Sequence, residues 1–148
     1  MSWRRMVLLG LGAGVLLLAA IQLVPYGRDH TNPPVGQEPD WPSPEVRSLA
    51  ARACFDCHSN ETAWPWYSSV APVSWLVARD VSEGRHTLNF SDWSHPEEAD
   101  EMAETVLEGE MPPFYYVWMH PSAALSDAEQ DILVRGLQAI GGGEGEGR

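Results

Sequence analysis

Two cysteines and a histidine stand together in the pentapeptide CFDCH, where Cys54, Cys57 and His58 follow the spacing C-x-x-C-H. Two thiols three residues apart near a helix end can reach the two vinyl groups on one edge of a porphyrin. The next imidazole is then held under the iron. This spacing is typical of c-type haem attachment, and histidine is among the axial ligands of such iron. The pentapeptide therefore predicts one covalent haem c with His58 as an iron ligand.

Three other kinds of site share part of this pattern. A thioredoxin-like redox pair needs a βαβ setting, and the sequence shows none. A structural zinc site needs four ligands, usually from two such pairs, whereas the chain has only two cysteines. A disulfide across two intervening residues would be strained and would leave His58 unexplained. These three remain as alternatives to haem attachment.

A second iron ligand is sought among the methionines and histidines that follow the motif. Methionine opposite histidine is the usual ligand pair of electron-transfer cytochromes. Met111 is the best placed, because it follows a glycine expected to close a helix and precedes two prolines that hold the chain extended. His120 is the alternative ligand, whereas Met102 falls on the inward stripe of a predicted helix and is expected to pack in the core.

The amino-terminal segment contains an uncharged, almost wholly apolar run from Met6 to Val24, behind a pair of arginines. At the helical rise, this run is long enough to cross a hydrocarbon core of about 30 Å. The arginine pair favours a cytoplasmic amino terminus and sends the rest of the chain across the membrane. A cleaved signal peptide is the alternative, but residues 19–21 match its small-residue cleavage site poorly. We therefore expect residues 1–25 to be a transmembrane anchor.

The remaining chain divides by composition into three parts. Residues 26–43 lack apolar periodicity and are rich in proline and glycine, which predicts a semi-rigid tether. Residues 44–140 contain the motif and the periodic apolar positions, so they form the predicted haem-binding domain. Residues 141–148 are a Gly/Glu tail of low complexity that we expect to be flexible.

Four helices are predicted in the domain from their start and stop signals. The first begins at Ser43-Pro44-Glu45, the second runs from Pro72 to near Gly84, the third from Pro96 to Gly109 and the fourth from Ser126 to Gly141. Their inward stripes are Val46, Leu49, Ala50 and Ala53; Val73, Leu76 and Val77; Met102, Val106 and Leu107; and Ile132, Leu133, Leu137 and Ile140. No stretch alternates as a strand does. The fold class is therefore all-α, a small cytochrome c-like domain with long aromatic loops after one transmembrane helix.

The charge of the chain restricts its partners. The formal net charge is −12, and all nine cationic side chains are arginines, since the sequence contains no lysine. Nucleic acid would be repelled by such a surface. A protein with a basic docking surface is the expected partner.

Several segments beyond the pentapeptide are distinctive together, namely CHSN, WPWYS, PVSWL, GR with LNFS, and MPP. Across roughly residues 44–140 the chain resembles the small bacterial haem-binding domain family of c-type cytochromes. The resemblance implies a periplasmic haem-binding domain with Cys54 and Cys57 as attachment sites and His58 as proximal ligand. Together with the predicted anchor, this gives an expected location at the bacterial inner membrane, with the anchor crossing once.

The function expected from these features is electron transfer rather than catalysis. A membrane-anchored mono-haem cytochrome would pass electrons on the periplasmic side to a membrane redox complex or redox protein. Two other functions are open: a haem-based sensor or catalyst for a small molecule, and a subunit whose haem stabilises a larger membrane redox complex.

Overall fold

The structure is a computed structural model that describes residues 2–94 and 98–142. Within these residues the protein has seven α-helices, two short 3₁₀ helices and no strand, so the all-α prediction is confirmed. The α-helices are α1 (Trp3–Ile21), α2 (Pro44–Ala53), α3 (Phe55–His58), α4 (Val73–Thr87), α5 (Glu98–Leu107), α6 (Phe114–Met119) and α7 (Asp127–Gly141). The 3₁₀ helices are Trp66–Ser69 and Pro121–Ala123.

The chain forms two compact units. The first contains the described residues up to 31 together with residues 64–80, and the second contains residues 32–63 and the described residues from 81 onward. Helix α4 begins in the first unit and ends in the second. The chain passes between these units three times.

Helix α1 is the dominant element of the first unit. It has no buried residue. Its 19 residues and its mean hydropathy of 1.8 make it long and apolar enough to cross a membrane. The helix ends at Ile21, three residues before the end of the predicted apolar run. The next three amides bond back to the carbonyls of residues 19–21 at 3.0 to 3.2 Å, so the last turn tightens from α to 3₁₀ spacing.

Helix α2 begins where the sequence predicts. The hydroxyl of Ser43 accepts a hydrogen bond from the amide of Val46 at 3.2 Å, and a proline fills the first helical position. The predicted stripe is fully buried, and it consists of Val46, Leu49, Ala50 and Ala53. The helix therefore directs one apolar face into the core of the second unit and delivers the chain to Cys54.

Helices α5 and α7 complete that core. Ser126 and Glu129 form the predicted capping box at the start of α7, a feature typically worth about 1 kcal/mol. Gly136 lies against α2, where an added Cβ would come within 2.3 Å of the Val46 side chain. A larger residue at this crossing would force the two helices apart.

Helix α5 ends in the predicted left-handed glycine. Gly109 has φ +77°, and the amides of Gly109 and Glu110 bond to the carbonyls of Val106 and Thr105, as in a Schellman motif. Met102 and Val106 are buried as predicted, but Leu107 is 60% exposed. The inward stripe is completed by alanines on the first two turns, and Leu107 lies at the helix end beyond them.

Helix α4 differs from the prediction in its end and in its buried face. It continues to Thr87 and contains Gly84 rather than stopping there. Val73 and Leu76, expected to face inward, are each 43% exposed, whereas Ser74, Val81 and Gly84 are buried. The small residues Ser74 and Gly84 face inward, because the backbone of a neighbouring segment approaches the helix closely at each of these positions.

The remaining predictions concern residues 32–43, the segment that forms helix α6, and two stretches outside the described residues. Residues 32–43, predicted as part of a tether, have irregular backbone that bonds within the second unit, for example from Gly36 to the Ser91 carbonyl at 2.8 Å. Helix α6 lies where a loop was expected. Pro96, predicted to open the third helix, and residues 143–148 of the predicted tail lie outside the described residues.

Candidate haem site

The pentapeptide forms a tight helical turn directly after α2. The amides of Cys57 and His58 both bond to the carbonyl of Cys54, at 3.1 and 2.9 Å. Cys54 is buried and Cys57 is half-buried, and no disulfide joins them. One turn of helix thus holds two thiols and the following imidazole, the arrangement that the spacing predicts.

The orientation of His58 is set by a backbone carbonyl. The side chain is only 7% exposed, and its Nδ1 lies 3.1 Å from the oxygen of Leu88. A carbonyl oxygen only accepts, so Nδ1 carries the hydrogen, and Nε2 of the neutral ring is left unprotonated. Burial lowers the pKa of His58, and this outweighs the bonds to the Leu88 and Gly84 carbonyls. A neutral imidazole fixed through Nδ1 is the form that binds a metal through Nε2.

Gly84 of α4 lies directly against the motif. An added Cβ at this position would be 2.5 Å from the carbonyl oxygen of Cys57 and 3.1 Å from its Cβ. A separation of 2.5 Å essentially never occurs for a real Cβ atom. Only glycine therefore permits α4 to pass this close to the backbone between the second thiol and His58.

Arg85 holds the loop that follows the motif. Its guanidinium donates to the carbonyl of Ser59 at 2.7 Å, to Asn32 Oδ1 at 2.9 Å and to Thr62 Oγ1 at 2.8 Å. These bonds to protein oxygens order residues 59–62.

The segments CHSN and LNFS bond to each other. Asn89 donates to the Asn60 side chain at 3.0 Å, and the amide of Asn60 donates to Ser91 Oγ at 3.0 Å. The amide of Phe90 donates to the carbonyl of His58 at 2.8 Å. These bonds join two polar segments that lie some thirty residues apart in the sequence. They close the backbone around His58.

Asp56, between the two cysteines, links the motif to α6. Its carboxylate accepts from the hydroxyl of Tyr116 at 2.7 Å and from the amide of Ala63 at 2.8 Å. Burial and this bond to Asp56 raise the pKa of Tyr116. This hydrogen bond cannot be predicted from the sequence, because nothing in the pattern around an acid inside the motif or a tyrosine in an aromatic run indicates that the two residues meet.

The two candidate distal ligands flank Tyr116 in the sequence. Met111 is half-buried and packs against the apolar core, and its amide bonds to the Thr105 carbonyl at 3.1 Å. His120 is half-buried and stacks on Tyr116 with ring centroids 4.3 Å apart. Met102 packs in the core as expected. The Tyr116 bond to Asp56 thus ties the segment with both candidates to the motif, and Met111 stays a prediction with His120 as its alternative.

The environment of the thiols bears on the alternatives to haem. Burial, with a smaller effect of Cys57, raises the pKa of Cys54 to about 12. Redox-active C-x-x-C pairs depend on a thiolate of lowered pKa. The described residues also contain no strand for a βαβ setting, and among them no three or more His, Cys, Asp or Glu side chains are grouped to hold a bare metal ion. This donor set, two thiols and one oriented imidazole, fits haem.

Comparison with known proteins agrees with this fit. A family model described as a haem-binding domain matches residues 16–139. No curated protein and no solved structure gives a significant match. With its helical architecture, the chain is therefore an all-α haem protein. It belongs to the haem-binding domain family, as the sequence segments indicate, whereas the type of haem and its mode of attachment stay predictions.

The close contact at Gly84 makes a specific prediction. Gly84→Ala should destabilise the folded chain by about 1–3 kcal/mol, because the new methyl group overlaps the Cys57 carbonyl. Without a clash, replacing glycine by alanine stabilises a helix by roughly 0.5–1 kcal/mol. A loss of stability in Gly84→Ala would therefore identify the clash. Thermal unfolding followed by circular dichroism measures this change, and the ratio of haem to protein absorbance should fall with it. The control is Ser82→Ala, at an exposed position of the same helix. Equal stability of the two variants would contradict the packing of α4 on the motif.

Proposed function

We propose that the chain is a membrane-anchored, mono-haem c-type cytochrome that transfers electrons on the periplasmic side of the bacterial inner membrane. The observation that supports this most strongly is the turn at residues 54–58, where two thiols precede an imidazole oriented by the Leu88 carbonyl. Two further observations support the proposal. The chain belongs to the haem-binding domain family, and its amino-terminal helix is long and apolar enough to span a membrane.

In this proposal the residues of the turn attach and orient the haem. Cys54 and Cys57 would hold the haem through thioether bonds to its two vinyl groups. His58 would bind the iron through Nε2, because its Nδ1 is held by the Leu88 carbonyl. Bound haem supplies an iron that gains and loses one electron.

On the other side of the iron, we propose Met111 as the second ligand, with His120 as the alternative. Met111 lies between the helix end at Gly109 and two prolines, so its backbone is held by features on both sides. A thioether ligand favours the ferrous state and raises the reduction potential. Filling both axial positions also excludes small molecules, which suits electron transfer better than gas sensing.

The proposed location depends on α1. This helix of 19 residues spans about 28 Å, close to the thickness of a hydrocarbon core. Two arginines begin it and no acid lies in it, so the positive-inside tendency places its amino end in the cytoplasm. The residues after the helix would then lie in the periplasm.

The proposed partner is a redox protein or membrane complex with a basic docking surface. Helix α5 and the turn after it expose carboxylates just before Met111, and residues 98–110 contain no arginine. The exposed acids of this stretch are Asp100, Glu101, Glu104, Glu108 and Glu110. Such a surface attracts a cationic partner and speeds encounter with it.

Electron transfer is tested in membranes that contain the full chain. Addition of a respiratory reductant should reduce the haem, and a terminal oxidant should reoxidise it, as followed by the visible absorption bands. Carbon monoxide should leave the ferrous spectrum unchanged, because both axial positions are held by the protein. His58→Ala should remove the signal, and His86→Ala, at an exposed position, should leave it intact. A haem that never changes redox state, or that binds carbon monoxide at once, would contradict electron transfer.

The distal ligand is tested by spectroscopy of the purified haem protein. Met111→Ala should abolish the near-infrared sulfur-to-iron charge-transfer band and lower the reduction potential, since it removes the thioether. Met119→Ala is the matched control, because this methionine is 46% exposed and outside the proposed ligand set. A parent protein without the band, in which His120→Ala changes the spectrum instead, would assign the position to His120.

A further inference from the structure

A second long uncharged segment lies in the middle of the chain. Residues 62–78 contain no Asp, Glu, Arg or Lys, although a fifth of all residues in the chain are charged. The segment also contains three tryptophans and a tyrosine, which are the side chains enriched where lipid headgroups meet acyl chains. Residues 64–78 belong to the same compact unit as α1.

Hydrogen bonds hold this segment at the end of α1. The side chain of Gln22, the residue after the helix, donates to the carbonyl of Ala71 at 2.9 Å and accepts from its amide at 3.0 Å. Gly27 approaches Ser74 so closely that an added Cβ would be 2.5 Å from its carbonyl. Ala71 and Ser74 therefore lie beside the residues where the apolar helix ends.

The aromatic part of the segment is held in the same way. His30 stacks on Trp64 with ring centroids 4.6 Å apart, and its Nε2 lies 3.1 Å from the carbonyl oxygen of Ser68. These contacts order the two ends of residues 64–68, which include Trp66. The exposure of Trp66 is therefore a feature of ordered backbone.

Several large apolar side chains of this unit are exposed. Trp66 is 79% exposed, and the residues that continue its surface along the segment are Val70, Val73 and Leu76, each 43% exposed. Leu23, just after α1, is 83% exposed. Grouped apolar exposure of this kind marks an interaction surface. We define these five residues as the juxtamembrane surface.

We propose that the juxtamembrane surface binds the outer leaflet of the bilayer, with Trp66 inserted at the boundary between headgroups and acyl chains. This inference rests on the proposed function, because it requires α1 to cross the membrane. A helix of 19 residues spans about 28 Å, so its carboxyl end reaches the boundary of a core about 30 Å thick. Gln22 then holds Ala71 at the same depth.

Charge favours lipid as the occupant of this surface. The chain has a net charge of −12, so most of its surface is repelled by anionic headgroups. The uncharged segment can approach the bilayer without that repulsion, and it is continuous with the membrane-spanning helix. The first unit would then be fixed against the membrane at two places, α1 and the juxtamembrane surface.

The test uses the full haem-bound chain, one copy per nanodisc of phosphatidylcholine, and hydroxyl-radical footprinting read by mass spectrometry. Trp118 is the matched reference, because its exposure in the protein is also 79%, and Leu107, at 60%, is a second reference. After correction for intrinsic reactivity, Trp66 should be oxidised several-fold more slowly than both. Equal oxidation of Trp66 and the two references would overturn the proposal.

A charged variant separates lipid contact from other causes of protection. Val70→Asp places a carboxylate in the juxtamembrane surface and should raise the oxidation of Trp66, whereas Ser122→Asp, at an exposed position in the second unit, should not. Unchanged protection in Val70→Asp would show that lipid is not the cause. Co-elution of chain and disc is measured on the same sample. A chain that leaves the disc contradicts the anchor and the proposed function, whereas an anchored chain with unprotected Trp66 contradicts this inference alone.

Discussion

The geometry of the haem motif depends on its contacts with one short segment, Gly84 to Ser91. Gly84 admits the backbone of Cys57. Leu88 and Phe90 bond to the ring and the carbonyl of His58, and Arg85 bonds to the carbonyl of Ser59. Asn89 and Ser91 bond to Asn60. Four consecutive residues of the motif region are thus each held by this segment, so protein contacts alone position the imidazole of His58.

Features that are decided by neighbouring residues could be predicted from the sequence. Helix ends were predictable because their signals are local: the Ser43 cap, the capping box at Ser126 and the left-handed Gly109 are decided within a few residues. The haem motif was predictable because its chemistry is encoded in five adjacent residues. The inward stripes of α2 and α7 followed from periodicity alone.

The parts that were not predictable depend on distant partners. Gly84 was expected to end a helix, but it lies inside α4, because its role is to admit the backbone of Cys57. Val73 and Leu76 were expected in a core and are exposed, since apolar periodicity alone does not show which face of a helix packs against the rest of the protein. The bond between Tyr116 and Asp56 joins residues that are 60 positions apart. Local patterns contain no signal for such pairs.

The two compact units are interleaved along the chain. Residues 64–80 leave the second unit between CHSN and LNFS and belong with α1, so the chain passes between the units three times.

The claim on which this account depends is that Cys54 and Cys57 attach one haem covalently. Intact-mass measurement of the purified chain under denaturing conditions tests it most directly, because only covalent haem stays with the polypeptide. The account predicts the mass of the chain plus one haem, and no added haem mass when both cysteines are replaced by alanine. Haem that separates on denaturation and leaves the bare mass of the chain would contradict it.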